Sequence, residues 1–86
     1  MPMVVLSMKE KELTMKKIYK ESDLIVWEDE KDHNNSCHFG SVSDYEWYAV
    51  DGMDGKYNEI GNFTSKDKAF KALQAHMKKI GYTIKL

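Results

Sequence analysis

Four side chains with ligand or nucleophile chemistry fall close together: Asp32, His33, Cys37 and His38. Imidazole, thiolate and carboxylate in one segment would suit a zinc ion, or a thiolate activated by a neighbouring imidazole. The spacing supports neither. The pattern H-x3-C-H matches no standard zinc framework, lacks a paired C-x2-C, and would need His76 from a distant segment to complete a set. Nucleophilic catalysis needs a base held against the thiolate, and adjacent side chains on an extended segment point apart. We read His33, Cys37 and His38 as loop residues and assign no metal, no cofactor and no catalytic residue. The stretch DGMDGKYNE, residues 51–59, has the acids and glycines of a calcium loop, but Met53 stands where a second ligand belongs and no helix precedes it. Turn chemistry accounts for it. Carboxylates are abundant, yet no Gly-rich loop or Ser-His-Asp order accompanies them.

The acids carry the stronger signal through their distribution. The chain of 86 residues has a net charge of −1, which divides into +3 for residues 1–20, −9 for 21–59 and +5 for 60–86. The acidic middle includes the run WEDEKDH, residues 27–33. All 13 basic residues are lysines. Without the rigid guanidinium fork, bidentate recognition of carboxylate, phosphate or guanine is closed to this chain. A single cysteine excludes an intramolecular disulfide framework. The opening apolar run is too short for a signal peptide or a membrane span, so we expect a cytoplasmic protein with no membrane partner.

A chain of this length folds as one domain, residues 1–86, burying roughly 60–65% of its unfolded surface. The spacing of Phe70, Leu73, Met77 and Ile80, flanked by Ala69 and Ala72, predicts an amphipathic helix over about 65–80. Thr64 or Ser65 is the expected N-cap, Asp67 suits the first turn, Lys78 and Lys79 the last, and Gly81 the C′ position. YTIKL, 82–86, alternates as a short final edge strand. The run YEWYAVDGMDGKYNEIGNF reads as two strands joined by Asp-Gly turn pairs, with a bulge near Gly61-Asn62 bringing Ile60 and Phe63 to one face. DLIVWED is apolar on both faces and predicts an interior strand. ELTMKKIYK alternates through Leu13, Met15 and Tyr19 and pairs with it across a tight ESD turn. Residues 1–10 fit a strand, a short helix or a flexible tail equally well. EKDHNNSCHFGSVSD lacks periodicity and is expected to be a long loop. The fold class is α+β: a four- or five-stranded, largely antiparallel sheet with one C-terminal helix packed on one face.

Residues 55–73, GKYNEIGNFTSKDKAFKAL, resemble the strand–strand–helix stretch of AP2-like and integrase arm-type DNA-binding domains over less than a quarter of the chain. Those families read DNA from sheet residues rich in arginine and lysine. The corresponding hairpin here carries Glu46, Asp51, Asp54 and Glu59, so the resemblance implies shared architecture and not DNA binding. Fixed carboxylates repel nucleic acid and steer basic surfaces. The expected function is a non-enzymatic protein-interaction module. Its partner-binding residues are Trp27, Glu28, Asp29, Glu30, Asp32, Asp44, Tyr45, Glu46, Trp47, Tyr48, Asp51 and Asp54, rings as anchors and charges as rim. The expected partner is a basic protein, a nucleic-acid-binding protein being one such. The module would act as an inhibitor or host modulator, in the manner of small anti-defence proteins of phages and mobile elements. Charge reversal at Glu28, Asp29 and Glu30 is expected to leave the fold intact. The alternatives are direct nucleic-acid binding through the lysine-rich helix and sheet aromatics, and a homo-oligomeric structural protein.

Overall fold

The structure, a computed structural model, describes residues 13–85. The expectations for residues 1–10, and for Leu86 in the last strand, lie outside the described residues. The elements are β1 (Leu13–Glu21), β2 (Leu24–Asp29), β3 (Ser36–Ser43), β4 (Glu46–Gly52), a single 3-10 turn (Met53–Gly55), β5 (Asn58–Phe63), α1 (Lys66–Lys79) and β6 (Tyr82–Ile84). The strands form one curled sheet in the order β5-β4-β3-β2-β1-β6. Neighbours are antiparallel except β1 and β6, which run parallel.

The strand count exceeds the expected four or five because the segment read as a long loop contains β3. Its pairing with β2 and β4 places Cys37 and Phe39 under the helix, both buried, and turns Ser36, His38 and Gly40 the other way. With only two apolar residues facing inward, β3 carries too little alternation to be seen in sequence. β2 is the expected interior strand. Its Ile25, Trp27 and Asp29 face the helix, and Leu24, Val26 and Glu28 face away. β1 returns from it across a two-residue turn at Ser22 and Asp23. A bulge at Ile18 breaks β1's alternation, so Tyr19 pairs with Val26 on the face opposite Met15.

α1 starts where Ser65 Oγ accepts the Lys68 amide at 3.2 Å, and ends where Gly81 takes φ +106°. Its buried side chains are Ala69, Leu73 and Met77, with Phe70 half-buried. Ile80 was expected in this stripe and is instead exposed. Helical geometry stops at Lys79, so Ile80 sits in the cap as the chain reverses. The bulge in β5 falls at Ile60, between the pairs Val50–Glu59 and Ala49–Gly61, and it sends both Ile60 and Phe63 to the core. Of the two Asp-Gly pairs in the β4–β5 connection, only Asp54-Gly55 supplies positive φ, at 56° and 74°.

The core lies between α1 and one sheet face. Trp27, Phe39 and Phe70 form its aromatic centre, with ring centroids 5.5 to 5.8 Å apart. The Trp27 indole N–H donates to the Lys85 carbonyl at 2.8 Å, tying β2 to the end of the chain beside β6. Truncating Phe39 to Ala should destabilise by about 3–5 kcal/mol and Leu73→Ala by about 2–5 kcal/mol, because each leaves a cavity in a closed core. Lys71→Ala should change stability by less than about 1 kcal/mol, its exposed pair with Asp67 being worth little. Urea denaturation checks all three, and a Phe39→Ala midpoint equal to that of Lys71→Ala would contradict the placement of β3.

Candidate functional site

The acidic run is spent in three ways. Asp29, Asp32 and Asp51 each accept a backbone amide two residues ahead, from Lys31 (2.8 Å), Asn34 (3.0 Å) and Met53 (3.5 Å), the hydrogen bond by which Asp shapes a turn. Asp29 and Asp51 are also buried, against the expectation that they sit on a partner surface. Asp29 accepts from the Tyr82 hydroxyl at 2.6 Å, and Asn35 donates to that same hydroxyl. Burial pushes the Asp29 carboxyl up. The Tyr82 hydroxyl, the Lys31 amide and Asn35 outweigh it and hold the group below the usual carboxylate range. Tyr82 responds in the opposite sense: burial and the Asp29 carboxylate raise it to about 12. Asp51 lies 2.7 Å from His76 Nε2 on the helix and accepts from Asn58. Charge reversal at Asp29 would therefore break the core.

The exposed or half-buried acids of the expected partner-binding set, with Asp32 among them, divide between the two ends of the sheet. Glu28, Glu30, Asp32 and Asp54 lie at the end where Asn35 and Asn34 tie the 31–35 loop to the Met53–Gly55 turn. Glu30 pairs with Lys85 at 2.5 Å. Asp44, Tyr45 and Glu46 lie at the opposite end, at the β3–β4 turn. Trp27 is buried in the core, and Trp47 faces the helix side, where Lys66 Nζ stands 5.9 Å over its ring. Of the expected partner-binding set, then, Trp27, Asp29 and Asp51 are interior, and the rest do not form one patch.

What the fold assembles is the sheet face turned away from α1. Tyr48, Val50 and Glu46 alternate along β4 onto it, beside His38 on β3, Val26 and Glu28 on β2, Tyr19 and Glu21 on β1, and Glu59 on β5. His38 is the middle of an aromatic group, its ring edge-on to Tyr48 at 5.6 Å and to Tyr57 at 5.9 Å. Both tyrosines lie down over glycines. A Cβ on Gly40 would sit 2.9 Å from the Tyr48 hydroxyl, and one on Gly52 would sit 2.9 Å from the Tyr57 ring and 2.6 Å from Ser36 Oγ. On the same face Val50 is only 8% exposed although no described element packs there. Tyr57 remains 72% exposed. Burial lowers the His38 pKa, which favours the neutral ring. Glu21, Glu28, Glu46 and Glu59 stand at outward positions of the same face, with Lys16 across from Glu28. The helix lysines lie on the other side of the sheet, and among the described residues none is paired with these acids. The rings are visible in the sequence, but His38 stands on β3 and not in a loop, and Trp47 faces the helix and not outward; β3 carries too little alternation to show itself.

The thiol and imidazoles do not converge. Cys37 and His38 project from β3 to opposite faces, and no group of three or more metal-binding side chains occurs among the described residues. Cys37 is fully buried, and burial together with the Asp51 charge pushes its thiol up to about 12, far from a thiolate nucleophile. No described helix is long and apolar enough to cross a membrane. Comparison of the chain with protein-family models, curated proteins and solved structures found no match.

The lowered Asp29 pKa makes the ionised form a source of stability that is complete above about pH 4, the unfolded carboxylate value, and is lost as pH falls through the lower folded value. The melting temperature should therefore drop below about pH 4, and more steeply in the parent than in Asp29→Asn. Tyr82→Phe should cost about 1–3 kcal/mol at neutral pH by leaving a buried carboxylate oxygen short of a donor. Parallel pH profiles for parent and Asp29→Asn in thermal melts would contradict this account.

Proposed function

We propose that this domain is a non-enzymatic protein-interaction module, and that the sheet face on which no described element packs receives a basic protein partner. The observation that carries the reading is the Tyr48–His38–Tyr57 group, laid over Gly40 and Gly52, with glutamates at outward positions of the same sheet face. Rings already packed flat lose little freedom on binding, which is how aromatic anchors concentrate interface energy. The glutamates supply a rim that attracts cations and speeds encounter. Six strands at a spacing of about 4.8 Å and a rise of about 3.3 Å per residue give a face on the order of 25 by 20 Å. That is about 500 Å², somewhat over half of the ~800 Å² that one partner contributes to a standard interface and in the range of a transient one. The partner we favour is a nucleic-acid-binding protein, and the module would inhibit it by covering the surface that otherwise meets phosphate. A glutamate-rimmed face disfavours free nucleic acid directly.

The test compares affinity capture from the native host by the parent, by Tyr48→Ser/Tyr57→Ser, by Glu28→Lys/Glu59→Lys, and by Tyr45→Ser at the hairpin tip, with quantitative mass spectrometry. The expected partner has a high isoelectric point, is retained by Tyr45→Ser, and is lost from the tyrosine pair, whose affinity should fall about 30-fold or more, a hot-spot loss of at least ~2 kcal/mol. With the purified partner, the glutamate reversal should slow association and flatten its salt dependence. Retention of the same proteins by all four would overturn the reading. So would low-salt anisotropy titrations in which the protein binds DNA or RNA at micromolar or better affinity.

A further inference from the structure

Among the described elements, α1 leaves open one corner of the sheet face it packs on. α1 contacts β3, β4 and both edge strands, β5 and β6, while the turn end of the β1–β2 hairpin stands beside its N-terminus. Between them lies a groove of about 390 Å³ walled by Lys17, Lys20 and Lys66, with Ile25 and Phe70 on its floor and Asp67 on its rim. The bulge at Ile18 builds this wall. Lys17 pairs with Trp27 and Lys20 with Ile25, so both project to the helix side although they are three residues apart. In an unbroken strand they would face opposite ways. Re-aiming a side chain in this manner is a recurrent use of bulges at binding sites.

The charge in the groove is one-sided. Asp67 is engaged by Lys71 at 3.3 Å. Lys17 and Lys20 have no acidic partner among the described residues, and Lys66 leans over the Trp47 ring. The first turn of α1 adds the positive end of its dipole at the same place. Below the lysines, Phe70 is half-buried on a bed of Trp27 and Phe39, with the Trp27 and Phe70 planes within 11° of parallel and Phe39 within 30° of Phe70. An apolar aromatic floor under cationic walls selects a ligand with a flat ring and a negative group. A groove near the lower end of the ~300–1,000 Å³ range of ligand pockets suits a one- or two-ring compound. Lysine ammonium groups act as point charges that hold carboxylate or phosphate without demanding bidentate geometry.

We propose that this groove binds a small planar aromatic anion, its ring against Phe70 and its carboxylate or phosphate among Lys17, Lys20 and Lys66. The site is separate from the Tyr48–Tyr57 face and does not depend on the function assigned to that face.

The test is an amide NMR titration of the full chain with 2-naphthoate and adenosine monophosphate, each against its neutral counterpart, 2-naphthalenemethanol and adenosine. At least one anion should bind saturably and shift the amides of Lys17, Lys20, Lys66 and Phe70, and the stronger of the two tells carboxylate from phosphate. Its neutral counterpart should bind at least about tenfold more weakly, and Lys17→Gln/Lys20→Gln should weaken the anion about tenfold with an unchanged melting temperature. Should that variant melt early, Lys66→Gln on the helix provides the same comparison. The proposal is overturned if neither anion binds, if the neutral compounds bind equally well, if the shifts map to the Tyr48–Tyr57 face, or if the lysine variants bind as the parent does.

Discussion

Among the described residues one helix serves six strands, and the arrangement of the core and of the surfaces beside it follows from that. An α-helix with its side chains is about 10–12 Å across, and strands lie about 4.8 Å apart, so α1 reaches both edge strands only by crossing the sheet and leaves a corner open at the β1–β2 turn. Under that roof the chain builds a dense core from Met15, Trp27, Cys37, Phe39, Leu73 and Met77. Trp27 is its pivot: the ring packs against both Phe39 and Phe70, which also touch each other, and the indole N–H donates to the Lys85 carbonyl beside β6. Two surfaces are left over. One is the opposite face, on which no described element packs although Val50 is buried there; the other is the groove beside the helix N-terminus.

The charge pattern along the chain becomes a pattern in space by strand alternation. Glutamates at outward positions of β1, β2, β4 and β5 make one side negative, while the helix lysines, together with Lys17 and Lys20, make the other positive. The aspartates behave differently. Asp is short enough to reach its own backbone two residues on, and Asp29, Asp32 and Asp51 do so at the chain reversals. Asp29 and Asp51 go further and are buried, each with side-chain donors that compensate the lost water. A run that reads as uniform acid is thus turn chemistry, buried acceptors and surface charge in succession.

The elements legible in the sequence are those with local signals. Ser65 and Gly81 mark the helix ends, the stripe from Ala69 to Met77 marks its face, and Ile60 and Phe63 betray the β5 bulge by falling three apart. The illegible elements depend on distant partners. β3 is small and polar on its outer side because Tyr48 needs the space above Gly40, a reason that exists only once β4 is beside it. β1 alternates cleanly until Ile18, where pairing with β2 inserts the bulge and moves Tyr19 to the outer face. Burial of Asp29 and Asp51 runs against the general exposure of carboxylates, and only the donors Tyr82, His76 and Asn58, all far along the chain, make it possible. The outer face was therefore half seen: its tyrosines and glutamates were recognisable, while the histidine at its centre and the inward turn of Trp47 were not.

Tyrosine footprinting of the complex with the captured basic partner tests the assignment of the Tyr48–Tyr57 face most directly. The five tyrosines act as internal reporters because they occupy distinct places: Tyr19, Tyr48 and Tyr57 on the face, Tyr45 at the hairpin tip, and Tyr82 in the core. Docking on the face predicts that Tyr48 and Tyr57 lose reactivity on complex formation, that Tyr45 reacts equally in free and bound protein, and that Tyr82 is unreactive in both. Tyr48 and Tyr57 keeping their free-state reactivity while Tyr45 becomes protected would contradict it.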